Sequence, residues 1–380
     1  MSITLRGVST VVPPTILVQE EVRDVFAGQP GLNRLAQRIV STSFNVSGIE
    51  TRHTVLDELS RDAHPDVPVF FDIDSGELLL PGTKARNEIY ADRATALYVE
   101  TGRAALDATP GIAASDVTHV VTVSCTGFYA PGPDFMVARE LGLNAGVERY
   151  HLGFMGCYAA IPALRIAKQL CEADAAAVVL VISVELCTLH LRSSNDPDTI
   201  VASSLFADGA AAGVVTARPL DGGERAFDLD RFATRITPTG EDDMAWKIGD
   251  HGFEMVLSNA IPAIIDEHIT GAIEPLIDHD SELAEALAAD TAGDAIEHWA
   301  IHPGGRSILD KVESRLRLSE AQLVPARETL RNFGNMSSAT VMFVLRNILA
   351  SDAADDGDRV VAMAFGPGLT VESALMTVRT

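Results

Sequence analysis

The chain has 380 residues, is 47% hydrophobic and has a mean hydropathy of +0.16, which is enough to build a large core. Its formal net charge of −24 argues against nucleic acid as a partner, because a phosphate backbone is bound by a basic surface. No apolar run is long enough to span a membrane, and the first residues lack the features of a signal peptide. We therefore expect a cytoplasmic protein that binds no membrane.

The first half alternates between strand-like and helix-like segments. Residues 3–12 and the β-branched run Thr118–Ser124 predict strands, and Arg86–Ala108 between them has the periodicity of an amphipathic helix. The apolar run Ala177–Val184 predicts another buried strand. This alternation is typical of a layered α/β fold.

The second half repeats this rhythm after a segment rich in Pro, Asp and Gly at 219–224, which is the best candidate for a domain boundary. We place an N-terminal half at residues 1–222 and a C-terminal half at 223–380. The predicted strands are Phe227–Ile236, Ile296–Ile301, Arg359–Phe365 and Thr370–Thr377. The predicted helices are Glu254–Asp278, Arg306–Leu316 and Ala339–Ala350.

Cys157 follows a glycine turn and precedes a helix-like run of small and apolar residues. The first N–H groups of a helix favour an anion, so a cysteine there has a lowered pKa and becomes a nucleophile. The alternative is a buried structural cysteine, which is about as common. The other cysteines, Cys125, Cys171 and Cys187, form no CxxC pair and no metal-ligand spacing, so we expect reduced thiols and no metal.

Two further side chains occur at similar strand-to-helix junctions. His302 ends a predicted strand before Pro-Gly-Gly, and Asn335 lies in a glycine-containing loop before a predicted helix. Taken alone, His302 is better explained as a structural histidine, and Asn335 as a turn or helix-cap residue. Together with Cys157 they provide a thiol that holds an acyl group and two donors that stabilise the enolate of a thioester.

The motifs Gly-Cys157-Tyr-Ala-Ala, Ile-His302-Pro-Gly-Gly, Gly-Asn335-Met-Ser-Ser-Ala and Phe-Gly366-Pro-Gly resemble the signatures of type III polyketide synthases, the chalcone and stilbene synthase-like enzymes. The resemblance covers nearly the whole chain. The His-Pro-Gly-Gly and Gly-Pro-Gly elements distinguish this family from the related ketosynthases of fatty-acid synthesis, which share only the Cys, His and Asn. Because the chain is rich in Ala and Asp and poor in Lys, we expect a bacterial member.

This resemblance implies a thiolase-like fold with two pseudo-duplicated α/β halves in five layers (αβαβα), assembled as a homodimer. It implies iterative decarboxylative condensation of malonyl-CoA onto an acyl-CoA starter, followed by cyclisation. Cys157 would hold the acyl chain as a thiolate paired with His302. His302 and Asn335 would bind the malonyl thioester carbonyl. CoA thioesters would be the substrates, and no other cofactor is expected.

The resemblance also implies a set of substrate-binding residues. Phe206 matches the gatekeeper between the CoA tunnel and the cavity, and Trp246 aligns with a glycine of the plant cavity wall, although a core role is equally consistent with it. Arg52 falls where the family holds CoA phosphates, with a surface charge as the alternative. The full set expected to bind substrate is Phe206, Cys125, Thr126, His190, Trp246, Met255, Ser337, Gly305 and Arg52.

Small residues predicted near the tunnel favour a long acyl starter and alkylresorcinol or alkylpyrone products. These residues are Ala130, Ala159, Ala160 and Ala202. A ketosynthase III-like enzyme that performs one condensation, with a carrier-protein substrate, is the alternative. A non-catalytic thiolase-fold partner is a third hypothesis, which the intact Cys157, His302 and Asn335 disfavour. The starter, the number of extensions and the mode of cyclisation stay open.

Overall fold

Helices and strands alternate along both halves, as predicted. The computed structural model describes residues 2–60, 65–220, 222–289 and 291–380. The elements of the first half are β1 (Thr4–Val11), β2 (Thr15–Val18), α1 (Gln19–Ala27), α2 (Arg34–Val46), β3 (Thr51–Thr54), β4 (Phe71–Asp72), β5 (Glu77–Leu78), α3 (Thr83–Asp107), β6 (His119–Ser124), α4 (Pro133–Glu140), β7 (Glu148–Gly153), α5 (Ala160–Ala173), β8 (Val178–Leu186), α6 (Pro197–Leu205) and β9 (Asp208–Thr216).

In the second half one predicted helix begins later than expected, and several elements were not predicted. Its elements are β10 (Ala226–Ile236), β11 (Met244–Gly249), β12 (Gly252–Leu257), α7 (Ile261–Ile277), α8 (Ser281–Ala288), α9 (Ala292–Ala295), β13 (His298–Ile301), α10 (Arg306–Leu316), α11 (Glu320–Phe333), α12 (Thr340–Ala350), β14 (Arg359–Gly366) and β15 (Thr370–Arg379). The helix predicted from Glu254 begins only at Ile261, because Glu254 lies in β12, which pairs with β11 in a hairpin. Pro262 near the start of α7 is compatible with a helix that begins there.

Within the described residues, nine strands form one sheet in the order β13-β14-β15-β10-β1-β9-β8-β6-β7. The two halves meet where β1 pairs with β10 over only two residues of each strand. In the first half β6 and β8 are parallel and β8-β9-β1 is antiparallel. In the second half β13 and β14 are parallel and β14-β15-β10 is antiparallel. The second half therefore repeats the pairing pattern of the first.

The predicted division between residues 222 and 223 falls in the connection from β9 to β10. Asp221, inside the segment that suggested it, lies outside the described residues. The boundary stays a prediction.

The central helices α5 and α12 lie between the two halves of the sheet and contact strands of both. Strand β8 is buried on both faces: Val179 and Val181 pack into the core that contains α5, and Leu180 and Ile182 pack with the core that contains α3. On the other side, α7 packs on β10 and β15. These contacts define five alternating layers, and the thiolase-like fold expected from the sequence is confirmed.

We predict that the layer formed by α5 contributes strongly to stability. Leu164 of α5 is 0% exposed, so Leu164→Ala should leave a cavity and cost about 3 kcal/mol, which lowers the midpoint of thermal unfolding. Leu80, which is 52% exposed, provides the matched control, and Leu80→Ala should change the midpoint little. Equal midpoints for the two variants would contradict the layer assignment.

Candidate active site

Cys157 lies in the turn that connects β7 to α5, three residues before the helix begins. Gly156 makes this turn possible, because its φ of +94° favours glycine. A Cβ atom on Gly156 would lie only 2.8 Å from Pro367 Cδ and 2.8 Å from Trp246 Cη2. The turn is therefore packed tightly against the Gly-Pro-Gly loop and the β11-β12 hairpin, and this packing places Cys157 between the two halves.

Asn335 connects the halves beside Phe206. Its backbone N–H donates to the Leu205 carbonyl at 2.9 Å, and its carbonyl accepts from the Ala207 N–H at 2.9 Å. Its side-chain Oδ1 accepts from the Ser337 N–H at 2.9 Å. Hydrogen bonds from the Ser337 hydroxyl and the Asn335 amide reach the Cys157 thiol and lower its pKa. Two of the predicted catalytic groups, Cys157 and Asn335, are therefore in direct contact.

His302 follows β13 and is 1% exposed. Its backbone N–H donates to the Met363 carbonyl at 2.8 Å, which fixes the chain at this point. The Asn335 Nδ2 donates to the carbonyl of Gly304 at 3.3 Å, so the loops of His302 and Asn335 are connected. In the described part of the chain neither ring nitrogen of His302 has a hydrogen-bond partner. A buried unpaired imidazole is unfavourable for folding, and this favours a role in binding or proton transfer.

Burial controls the protonation of both groups. It raises the pKa of the Cys157 thiol to about 11, and the hydrogen bonds from Ser337 and Asn335 offset this only in part. It lowers the pKa of His302 to about 3. Burial thus favours a neutral thiol and a neutral imidazole in the empty site, and it acts against the thiolate–imidazolium pair that the resemblance implies. That pair stays a prediction.

One cavity opens at Cys157 and collects most of the predicted substrate-binding residues. Those that line it are Cys125, Thr126, Phe206, His190, Trp246, Met255 and Ser337. Further lining residues that the sequence did not suggest include Cys187, Leu191, Arg192, Thr199, Ser203 and Phe253. The predictions made for these positions thus converge on a single site.

The role predicted for Arg52 is corrected by the structure. It was expected to hold CoA phosphates, but it is 0% exposed and its Nη1 donates to the carbonyls of Ser203 at 2.8 Å and Phe206 at 2.7 Å. Burial lowers its pKa to about 10. A guanidinium enclosed in this way cannot reach a phosphate in solvent, and it instead supports the backbone that presents Phe206.

Gly305 and three of the small residues also lie away from the cavity. Gly305 begins α10, where a Cβ atom would meet Leu205 at 3.6 Å, and it does not line the cavity. Ala159 and Ala160 belong to the core, and Ala130 is exposed. Of the four small residues only Ala202 lines the cavity, so these residues give little support for a long acyl chain.

His190 forms a fixed, neutral part of the cavity wall. Its Nε2 donates to the Thr126 carbonyl at 2.8 Å, and its Nδ1 accepts from the Phe253 N–H at 3.2 Å. The imidazole stacks on the Phe253 ring with centroids 4.1 Å apart. Burial lowers the pKa of His190 to about 4, so it carries no charge at neutral pH.

Glu185 is a buried carboxyl beside the cavity that sequence reasoning missed. It ends the apolar run of β8, and an acidic residue in such a run was the available signal. Its carboxyl accepts from Cys125 N at 3.0 Å, Thr126 Oγ1 at 2.9 Å and the Ser338 hydroxyl. Burial raises the pKa of Glu185. This network fixes the loop after β6 against the loop that carries Ser337 and Ser338.

Each half of the chain matches a family model. Residues 2–219 match the N-terminal domain of chalcone and stilbene synthases, and residues 228–379 match the C-terminal domain. The chain belongs to the chalcone and stilbene synthase family. These type III polyketide synthases are acyltransferases that catalyse decarboxylative Claisen condensations.

Relatives and solved structures cover the whole chain. A bisdemethoxycurcumin synthase of Oryza sativa subsp. japonica is 32% identical and covers 97% of this chain and 91% of its own length. The type III polyketide synthase domain of Steely1 from Dictyostelium matches with a TM-score of 0.86 at 28% identity, covering 99% of both chains. The 1,3,6,8-tetrahydroxynaphthalene synthase of Streptomyces coelicolor A3(2) matches with a TM-score of 0.82 at 27% identity, covering 99% of both chains.

Two kinds of feature are absent from the described residues. They contain no helix long and apolar enough to cross a membrane. In the same residues no group of three or more His, Cys, Asp or Glu side chains is arranged to hold a metal ion.

We predict that the alkylation of Cys157 rises continuously with pH. Because the thiol pKa is about 11, the thiolate is a minor form at neutral pH, and its fraction grows about tenfold per pH unit from pH 7 to 9. The measurement is the rate of iodoacetamide labelling of the Cys157 peptide, followed by mass spectrometry. Ser337→Ala removes a hydrogen bond that lowers this pKa and should slow labelling at each pH. A rate that is already constant from pH 6 upward would demonstrate a resting thiolate.

Proposed function

We propose that Cys157 carries a starter acyl group and that the enzyme extends it with several malonyl units before the product cyclises. The observation that carries this proposal is that Cys157 and Ser337 line one cavity, with Asn335 beside Cys157 and the unpaired imidazole of His302 on the loop that Asn335 contacts. The match to family models in both halves favours this reading over a ketosynthase III-like single condensation.

The first step loads the starter. The Cys157 sulfur attacks the thioester carbonyl of an acyl-CoA while its proton passes to a ring nitrogen of His302, which is neutral and has no partner. The C–S bond to CoA then breaks, and the leaving thiolate takes the proton back from His302. Proton transfer during attack makes a resting thiolate unnecessary.

The second step forms the carbon–carbon bond. Asn335 Nδ2 carries two N–H groups, one of which donates to Gly304 while the other faces the Cys157 sulfur. Once that sulfur is acylated, the second N–H can turn to the carbonyl oxygen of malonyl-CoA. His302 donates a second hydrogen bond. Loss of CO₂ leaves an enolate whose negative oxygen these donors stabilise. The enolate carbon attacks the acyl carbonyl on Cys157, the C–S bond breaks, and the departing sulfur takes up a proton from solvent through His302. The lengthened chain is then on CoA, and it returns to Cys157 by the same exchange as in the first step before the next extension.

The cavity supports a starter of limited length. Trp246 on the β11-β12 hairpin contacts the Cys157 turn and occupies cavity space that a small residue would leave open. Alkylresorcinol or alkylpyrone products stay a prediction, which only Ala202 among the four small residues supports. CoA thioesters are the proposed substrates, with no further cofactor. A bacterial source and a cytoplasmic location also stay predictions.

A homodimer is supported by the free edge of the sheet. Strand β7 is at one end of the strand order and pairs only with β6 among the described residues. Apolar and aromatic side chains near this edge are exposed, namely Phe128 by 50%, Phe135 by 38%, Tyr150 by 40% and Phe154 by 42%. We propose that a second copy of the chain covers them, because unpaired strand edges and apolar patches are normally covered.

Product analysis tests the proposed function. The purified protein is incubated with malonyl-CoA and a series of acyl-CoA starters, and the products are identified by mass spectrometry. We expect pyrones or resorcinols that contain several malonyl-derived units. A single β-ketoacyl product, or a requirement for a carrier protein, would favour the ketosynthase III-like alternative. The absence of both product and acylation would favour a non-catalytic protein.

We predict that Cys157→Ala abolishes chain extension but retains part of the decarboxylation of malonyl-CoA, because His302 and Asn335 still stabilise the enolate. Release of ¹⁴CO₂ from labelled malonyl-CoA and formation of polyketide are measured in parallel. Cys171→Ala, which removes a buried thiol of α5 outside the cavity, is the control and should retain both activities. Extension by Cys157→Ala, or loss of both activities in the control, would overturn the assigned role.

We predict that Trp246→Ala allows longer starters to be used. Removal of the indole enlarges the cavity, so the ratio of kcat/KM for decanoyl-CoA to that for hexanoyl-CoA should rise by about tenfold. Ile248→Ala on the same hairpin is the control, because Ile248 is 54% exposed and does not line the cavity. An unchanged ratio with a lowered unfolding temperature would show that Trp246 is only a core residue.

A further inference from the structure

The active-site cavity has a cation in its wall for which the condensation chemistry provides no role. Arg192 follows the short segment after β8 and lines the cavity together with Leu191, Thr199 and Ala202. It is partly buried, and its side chain makes no hydrogen bond or ion pair with the rest of the described chain. An arginine in a cavity wall is normally paired, because withdrawing a charge from water is unfavourable.

The charges around Arg192 make its unpaired state more unusual. The nearby cation Arg86 repels it, and this repulsion contributes to the lowered pKa of Arg86. Arg86 itself is held by the carbonyls of Leu191 at 3.2 Å and Pro81 at 2.9 Å. The neighbouring His190 is neutral at neutral pH and uses both of its ring nitrogens within the protein. Arg192 is therefore the group of this cluster that is available to a ligand.

The acidic residues closest in sequence are engaged elsewhere. Asp196 caps α6 by accepting from the N–H and the hydroxyl of Thr199, at 2.9 and 2.8 Å. Asp198 accepts from the backbone of Leu257. The rest of the cavity wall is mostly apolar or neutral, with Phe206, Phe253 and Met255 among its members. A negatively charged group on a molecule in the cavity would therefore give Arg192 the partner that the described chain does not provide.

We infer that Arg192 binds a carboxylate at the far end of the starter acyl group, so that the preferred starter is the monothioester of a dicarboxylic acid. This inference rests on the proposed function, since the other end of the same acyl group is attached to Cys157. A bound carboxylate forms charge-assisted hydrogen bonds with the guanidinium and offsets the repulsion between Arg192 and Arg86. The cavity then selects starters by the distance between the thioester carbonyl at Cys157 and the carboxylate at Arg192.

Equilibrium binding tests this inference with two ligands of equal chain length. Adipoyl-CoA carries a terminal carboxylate, and hexanoyl-CoA ends in a methyl group at the same distance. Both are titrated calorimetrically into Cys157→Ala, which cannot be acylated. We expect adipoyl-CoA to bind about tenfold more tightly, as one charge-assisted hydrogen bond allows. In Cys157→Ala/Arg192→Met this preference should disappear, and in Cys157→Ala/Arg192→Lys part of it should remain.

The remaining outcomes separate the inference from the alternatives. Cys157→Ala/Arg235→Met removes an exposed arginine of β10 and should retain the preference. If Arg192→Met weakens both thioesters equally, Arg192 contacts the CoA phosphates and the inference fails. If both ligands bind equally well before Arg192 is changed, the inference also fails while the proposed function stands. If neither CoA thioester binds, both fail.

Discussion

The backbone bridge between Asn335 and the segment 205–207 is the interaction on which the site depends. It connects a loop of the second half to the residues around Phe206 in the first half. The amide of Asn335 extends this connection to Gly304, and hence to the loop of His302. Because nucleophile and donors come from different halves, their alignment requires the halves to be held in one arrangement. The shared layer of α5 and α12 provides that rigidity.

Burial determines the chemistry at this junction. A low-dielectric environment disfavours the separate charges of a thiolate and an imidazolium, and it strengthens each hydrogen bond that a substrate oxygen receives. Burial thus favours the neutral forms of Cys157 and His302 while the cavity is empty. When a thioester enters, its carbonyl oxygen becomes the atom on which negative charge develops and which the donors stabilise.

The sequence predicted the layered α/β fold, the repeat of the two halves and the convergence on Cys157, because strand periodicity and loop motifs are local signals. It did not reveal that Arg52 is enclosed, since a basic residue in a short strand can point inward or outward. It also assigned β12 to a helix, because a short apolar run has no distinctive period. Glu185 and Arg192 were missed for a related reason, since their surroundings are assembled by residues distant in the chain.

Cys157 is the proposed attachment point of a chain that grows by repeated condensation. The most direct test is mass spectrometry of active-site peptides from enzyme quenched at successive times during turnover with an acyl-CoA starter and malonyl-CoA. We expect the Cys157 peptide to carry first the starter and then acyl groups lengthened by successive two-carbon units. Acyl groups found instead on Cys125, or a Cys157 peptide that carries only the starter while multiply extended products accumulate, would contradict this role of Cys157.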